Sequence, residues 1–309
     1  MSLTDEGLKK ADIHIHIIGS TNEGCYISQA LLRKPWLRLI SYWLGLRIEA
    51  ADEYLSRLVS YIKESPIDVG VILACDAIYD DYGEVNPKTS FYVPNDYVLK
   101  VASKYEELLP GVSIHPNRKD ALDEVDRCVE AGAALIKWIP NAQGIDPSDK
   151  KYKAFYRKLS DHEIPLLSHA GFEFTMKATD QTLGDPRKLR LALEEGTTVI
   201  SAHCGISYAG LSTRYLKVWL SLVREYTNLY GDLAALSVGF GGRVVKKLLK
   251  DQMVRTRLVN GSDFPVPPLR AVTDLLRRGN PFTRDYEIKS KLGVPDSVFY
   301  RGYLLVRRQ

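Results

Sequence analysis

Two histidines one residue apart carry the most obvious chemical capacity in this chain. His14 and His16, in the run DIHIH, close the first apolar segment. Side chains alternate along a strand, so Asp12, His14 and His16 are expected on one face. Two imidazoles so placed can bind one metal ion. There are six histidines in all, and His115, His169 and His203 also end apolar runs, GVSIH, PLLSH and TVISAH. Asp263 follows a late apolar run in NGSDFP, and Lys137 lies inside ALIKWI. Imidazoles with a carboxylate are the donors expected for Zn2+ or a similar divalent ion that keeps a position open for water.

These residues need elements that bring them together. Strand-like runs at 11–16, 69–75, 111–115, 134–139, 165–169, 198–203, 229–233 and 257–261 alternate with helix-like runs. The helices fall at 50–64, 95–105, 119–131, 151–162, 186–195, 214–226, 242–252 and near 268–278, ahead of a C-terminal tail. Strands rich in Val, Ile and Leu between helices imply a parallel sheet covered on both faces. Eight units in order fit an α/β fold of the (β/α)8 TIM-barrel type, whose chemistry sits at the C-terminal strand ends. No GxGxxG follows the first strand, which weighs against a dinucleotide fold. The expected organisation is one domain over 1–309, with an extended loop and helix insertion after the first strand. That insertion holds PWLRLISYWLGL at 35–46, a helix with Leu37, Ile40 and Leu44 on one face. It and the tyrosine-rich loop at 79–92 are placed to roof the pocket.

Composition narrows the class. Hydrophobic residues make up 45% and charged residues 26%, as in an ordinary globular protein. A net charge of +4 with dispersed basic residues makes no case for nucleic acid. The segment at 35–46 is too short to span a bilayer, so no membrane partner is expected. The four cysteines lack CxxC spacing and read as reduced thiols of a cytoplasmic protein. No basic-then-apolar leader is visible at the N-terminus. The expected partner is a small-molecule substrate, and a homodimer is compatible with such a barrel.

The motifs DIHIH, SH at the fifth strand, AHCG at the sixth and GSDFP at the eighth resemble those of the amidohydrolase superfamily of metal-dependent hydrolases, in order and over nearly the whole chain. IKWIPNAQGIDP and LLSHAGFE are most similar to its amidohydrolase-2 branch, which also holds decarboxylases and lactonases. The resemblance implies that His14, His16, His169 and Asp263 are metal ligands, with His203 a ligand or an electrophile. It implies a metal-bound hydroxide as nucleophile and Asp263 as general base and acid. Lys137 decides between one ion and two. In some relatives a lysine at that strand is carboxylated and bridges two metals. The alternative is a neutral or ion-paired amine that contacts substrate or Asp263.

Further candidates follow from position. His115, Glu173 and Arg243 are expected to contact substrate, Arg243 through the glycine-rich run SVGFGGR. His162 reads as a surface or capping residue, Asp185 as a helix N-cap before Pro186, and Cys204 as packing. The expected activity is hydrolysis of an amide, lactone or other ester. The alternative on the same core is decarboxylation of an unsaturated or aromatic acid.

Overall fold

The protein is described by a computed structural model over residues 7–45, 50–207, 210, 212–270, 274, 276 and 278–307. Ten strands occur among them: β1 Ala11–His16, β2 Tyr26–Ile27, β3 Val69–Leu73, β4 Phe91–Tyr92, β5 Leu108–Val112, β6 Leu135–Trp138, β7 Leu166–Ser168, β8 Val199–Ser201, β9 Leu229–Asp232 and β10 Leu258–Val259. All but β2 and β4 form one sheet in the order β1-β3-β5-β6-β7-β8-β9-β10, with every neighbouring pair parallel. The two ends of the sheet meet. The Ile13 N–H donates to the Asn260 carbonyl at 3.1 Å, the His16 N–H to that of Phe264 at 2.8 Å, and the Asp263 N–H to that of His14 at 3.0 Å. These bonds satisfy the edge groups that an open sheet would expose, and the result is the (β/α)8 fold that the alternation predicts. β2 and β4 pair antiparallel as a short ribbon.

Burial accounts for the strands. Every residue of VGVIL in β3 and of VIS in β8 is buried, because helices cover one face and the barrel interior the other. Val71, Leu73, Leu135, Leu167, Ile200 and Val259 share the interior cluster. Tyr54, Leu58 and Ile62, from helix Ala51–Lys63, pack in the larger layer between sheet and helices.

Simple alternation fails once, in β1. Its register against β3 shifts between Asp12 and Ile15. Ala11 and Ile13 join the interior cluster, Ile15 joins the outer layer, and His14 and His16 face the cavity at the barrel mouth. Asp12 therefore does not share the face of His14 and His16, as strict alternation requires. The extra residue of a β-bulge turns the imidazoles inward. The Asp12 carboxylate holds the irregularity from behind: its Oδ1 accepts the His14 N–H at 3.1 Å and the Ser262 N–H at 3.0 Å.

Seven of the eight barrel strands stop one to three residues short of their apolar runs, and at β5 and β8 side chains take over the backbone donors. β5 stops at Val112, three residues before His115. There the Ser113 N–H goes to Asn95 Oδ1 (2.8 Å) and the His115 N–H to Asp76 Oδ2 (2.8 Å). β8 stops at Ser201, where the His203 N–H goes to Asp232 Oδ1 at 2.6 Å. β10 covers two residues, and the chain beyond it pairs with β1.

The first βα connection holds helices Gln29–Leu32 and Pro35–Leu44 before helix Ala51–Lys63. The second of these ends at Gly45 with φ 68°. Leu46 of the expected helix at 35–46 lies outside the described residues, as do 271–273, 275 and 277 of the helix expected near 268–278. The expected tail instead contains helices Pro281–Lys291 and Asp296–Val306. Asn280 caps the first of these, and Pro281 stands at its first position. No helix among the described residues is long and apolar enough to cross a membrane.

The Asp12 clamp makes a prediction. Asp12→Ala leaves the His14 and Ser262 amides without their acceptor and should cost roughly 2 kcal/mol of stability. Asp12→Asn keeps a side-chain oxygen there and should cost clearly less. Urea unfolding of both variants checks the order.

Candidate metal centre

Five strand ends deliver the polar side chains to one place. His14 and His16 come from the bulged end of β1 and Lys137 from β6. His169 is the residue after β7, and His203 lies in the turn after β8, with Asp263 on the connection after β10. All six line one cavity of about 270 Å³. Donor atoms of His14, His203 and Asp263 lie within 4.8 Å of one another. Asp263 Oδ1 is 3.3 Å from His16 Nε2 and 3.4 Å from His14 Nε2. The His169 ring centroid is 5.2 Å from that of His203. Local backbone is bent to achieve this: His203 and Asp263 adopt φ 58° and 66°, the left-handed region that non-glycine residues rarely occupy. Gly261 gives the space, since a Cβ there would meet His14 Cβ at 2.8 Å.

Partners behind the imidazoles fix their tautomers. His14 Nδ1 faces Asp232 Oδ2 at 2.7 Å, and His203 Nδ1 faces the Ala234 carbonyl at 2.9 Å. Each Nδ1 therefore carries the proton and donates it, leaving the Nε2 lone pair as an acceptor on the cavity side. Lys137 Nζ stands 3.0 Å from His14 Nε2. The buried Nε2 of His169 has no hydrogen-bond partner; Glu173 Oε2 lies 3.7 Å from it.

Protonation states follow from burial. Burial, then the Lys137 charge, pushes His14 down to about 3 against the pull of Asp232. Burial takes His169 down to about 4, with Glu173 opposing. For Asp263 burial acts upward, but the His16 hydrogen bond and the surrounding imidazoles outweigh it and hold the carboxyl below its ordinary range. Burial also lowers Lys137, against Asp232 and Asp263. Unprotonated His14 and His169 beside an ionised Asp263 are in the forms that a divalent ion requires of its ligands. Together with the orphaned His169 nitrogen, this donor set fits such an ion. His14, His16, His169, His203 and Asp263 could hold it.

A family model described as amidohydrolase matches residues 11–292. The chain belongs to the amidohydrolase family, in its amidohydrolase-2 branch. Membership supports an enzyme with a metal-dependent mechanism. No curated protein matches in sequence. Among solved structures, an uncharacterised TIM-barrel protein from Bordetella bronchiseptica is similar at 16% identity and TM-score 0.62, covering 93% of this chain and 100% of its own. A Pseudomonas putida protein named for 2-pyrone-4,6-dicarboxylic acid hydrolysis matches at 12% identity and TM-score 0.58, over 94% of this chain and 93% of its own. The 5-carboxyvanillate decarboxylase of Sphingomonas paucimobilis matches at 8% identity and TM-score 0.57, over 95% and 96%. At these identities the likeness is one of fold.

The other expected contacts divide. Glu173 lines the cavity. His115 does not: it is buried, with Nε2 on the Gln143 carbonyl at 3.1 Å and Nδ1 accepting the Asn117 N–H at 3.1 Å. Both ring nitrogens are spent on holding a loop. Arg243 is exposed, with its guanidinium 5.3 Å from the Phe240 ring centre. Its helix, Gly241–Leu249, buries Val244, Val245 and Leu248, which turns Arg243 to solvent. His162 pairs with Asp126 at 2.7 Å, part-buried, and Asp185 caps the turn that follows it. Asp232 is the residue that sequence reasoning overlooks. Its one signal is an acid at the end of an apolar run, LYGDL.

Asp232 acts through His14, so its loss should be felt in metal affinity. Asp232→Asn should keep the fold and weaken metal binding by about 10- to 100-fold. Chelator competition beside a circular dichroism spectrum checks both halves.

Proposed function

We propose that this family member is a hydrolase that adds water to the carbonyl carbon of an amide, lactone or other ester. The observation that carries the reading is Asp263, an ionised carboxylate set among His14, His16 and His203 at the cavity floor. A divalent ion, Zn2+ for this nitrogen-rich set, would supply an acidified water and a Lewis acid for the carbonyl oxygen. His14, His16, His169 and Asp263 would hold it.

The chain's own residues do the rest. Asp263 accepts the proton of the attacking water, and the carbon–nitrogen or carbon–oxygen bond breaks as Asp263 returns that proton to the leaving atom. His203, with its Nδ1 proton committed to Ala234, presents Nε2 to the ion or the substrate oxygen. Lys137 reaches the same floor beside His14 and contacts the substrate's oxygen. Glu173 accepts the Thr175 and Met176 N–H groups at 2.6 and 2.9 Å and orders the wall beside His169. Helix Pro35–Leu44, in the connection after β1, covers the mouth and keeps bulk water from the floor.

Decarboxylation is the competing reading on the same core. It would place the substrate carboxylate, rather than a carbonyl, over the same floor and release CO2 with no water consumed. A panel of lactones, amides, esters and aromatic acids separates them: product formation with uptake of one water is expected, and CO2 release without it would overturn the hydrolase reading. Asp263→Asn should bind metal more weakly than the wild type but more tightly than His14→Ala, and when loaded with metal lose about 10²- to 10⁴-fold in turnover. His14→Ala should lose metal and activity together. Metal analysis of the wild-type protein should give one tightly bound equivalent per chain; two would assign Lys137 as a carboxylated bridge.

A further inference from the structure

The cavity has a polar floor and a wall of a different character. Among the described residues that line it, every ionisable side chain belongs to the floor cluster or is Glu173 beside it. The wall and roof are built from apolar side chains such as Leu37, Ile40, Phe91, Phe172, Leu236 and Val266. Two hydroxyls interrupt it, and both are engaged. Ser207 Oγ accepts the Phe172 N–H at 2.7 Å, and the Thr175 hydroxyl donates to Glu173. The buried indole N–H of Trp36, on the roof, has no hydrogen-bond partner.

Among the described residues that line this wall there is no cation, and Lys34, the residue before the roof helix, has its Nζ on the Thr175 carbonyl at 3.1 Å. Lys137 is the one lysine or arginine among the described lining residues, and it stands at the floor, 3.0 Å from His14 Nε2. Arg38, on the roof helix, and Arg243 are exposed and outside the lining. Arg118 and Arg127 line a separate cleft, where Asp76, Asp96, Asp120 and Glu124 already pair with them. A carboxylate or phosphate far from the reacting carbonyl would be stripped of water against leucine, isoleucine and phenylalanine with no partner, and that burial is costly.

We propose that the cavity selects a neutral, predominantly apolar substrate, an ester, lactone or amide with a medium-length alkyl or single-ring aromatic group, and rejects substrates carrying a second, distal negative charge. The reacting carbonyl meets the floor, the apolar group fills the space below Leu37 and Ile40, and Trp36 suits a neutral oxygen acceptor. This inference rests on the hydrolase reading for the bond broken but not for the ligand bound.

Two measurements keep these apart. The first is turnover by the metal-loaded protein of p-nitrophenyl esters from acetate to octanoate, with the mono-p-nitrophenyl ester of suberate as the charged match for octanoate. We expect kcat/KM to rise up to about fourfold per methylene, the factor equivalent to ~0.8 kcal/mol, until the space is filled, and the suberate ester to fall at least a hundredfold below octanoate. The second is calorimetric binding of octanamide against suberic acid monoamide, which needs no turnover. If esters are cleaved and the charged member matches or exceeds the neutral one, the inference is overturned and the hydrolase reading stands. If no ester or amide is cleaved but octanamide binds and the monoamide does not, the hydrolase reading fails and the inference stands. Binding of neither, or equal binding of both, overturns it. Ile40→Lys, which places a cation on the roof, should shift the binding ratio at least tenfold toward the charged ligand; an unchanged ratio in a folded variant counts against the inference.

Discussion

The bulge in β1 is the constraint on which the site depends. A regular strand would have placed Asp12, His14 and His16 together. Had that face been inward, Ala11 and Ile13 would have left the interior layer, and a third acid would have crowded the floor. The register shift between Asp12 and Ile15 lets one short strand serve two purposes. Its first half packs apolar side chains at the base of the barrel, and its second half presents imidazoles at the mouth. The irregularity persists because Asp12 Oδ1 takes two amides, one from each side of the seam where the barrel closes. Closure and ligand placement are therefore one event: the Asp263 N–H bonds the His14 carbonyl, so the loop that brings the carboxylate is tied to the strand that brings the imidazoles.

Burial then sets the chemistry of what the bulge positions. Imidazoles withdrawn from water lose protons, and a carboxylate among N–H donors keeps its charge. Asp232 adds direction to this. One oxygen orients His14 through Nδ1 and the other receives the His203 amide, so a single carboxylate aligns ligands from two strands. The left-handed backbone at His203 is sustained by that amide bond, which converts local strain into a defined imidazole position. A buried cluster with this many mutual partners is rigid before any ion arrives, which is the preorganisation that electrostatic catalysis needs.

Much of this was legible in the sequence. The βα alternation requires parallel strands with their C-terminal ends together, and that rule alone gathers His14, His16, Lys137, His169, His203 and Asp263. Positions set by alternation within straight strands, such as Lys137 on the face of Leu135, are readable from spacing. What spacing does not carry is a departure from regular geometry or a partner far along the chain. The bulge that turns Asp12 away is a backbone choice made by the closing loop. Asp232 is 218 residues from the nitrogen that it orients. His115 and Arg243 stand near strand ends in sequence, yet side-chain acceptors end β5 early and helix periodicity turns Arg243 out.

Floor and roof also differ in what their sequences encode. On the floor, His14 and His203 are tied to Asp232 and to the Ala234 carbonyl by hydrogen bonds that few other side chains could make. The roof residues Leu37 and Ile40 are placed by helical periodicity and an apolar contact, which any residue of similar shape satisfies. A barrel built this way can change what it admits by altering one helix in the first connection while the chemistry below stays intact. The floor consequently carries the signature of a family, and the proposed apolar selectivity rests on a segment whose pattern, taken alone, is indistinguishable from an ordinary amphipathic helix.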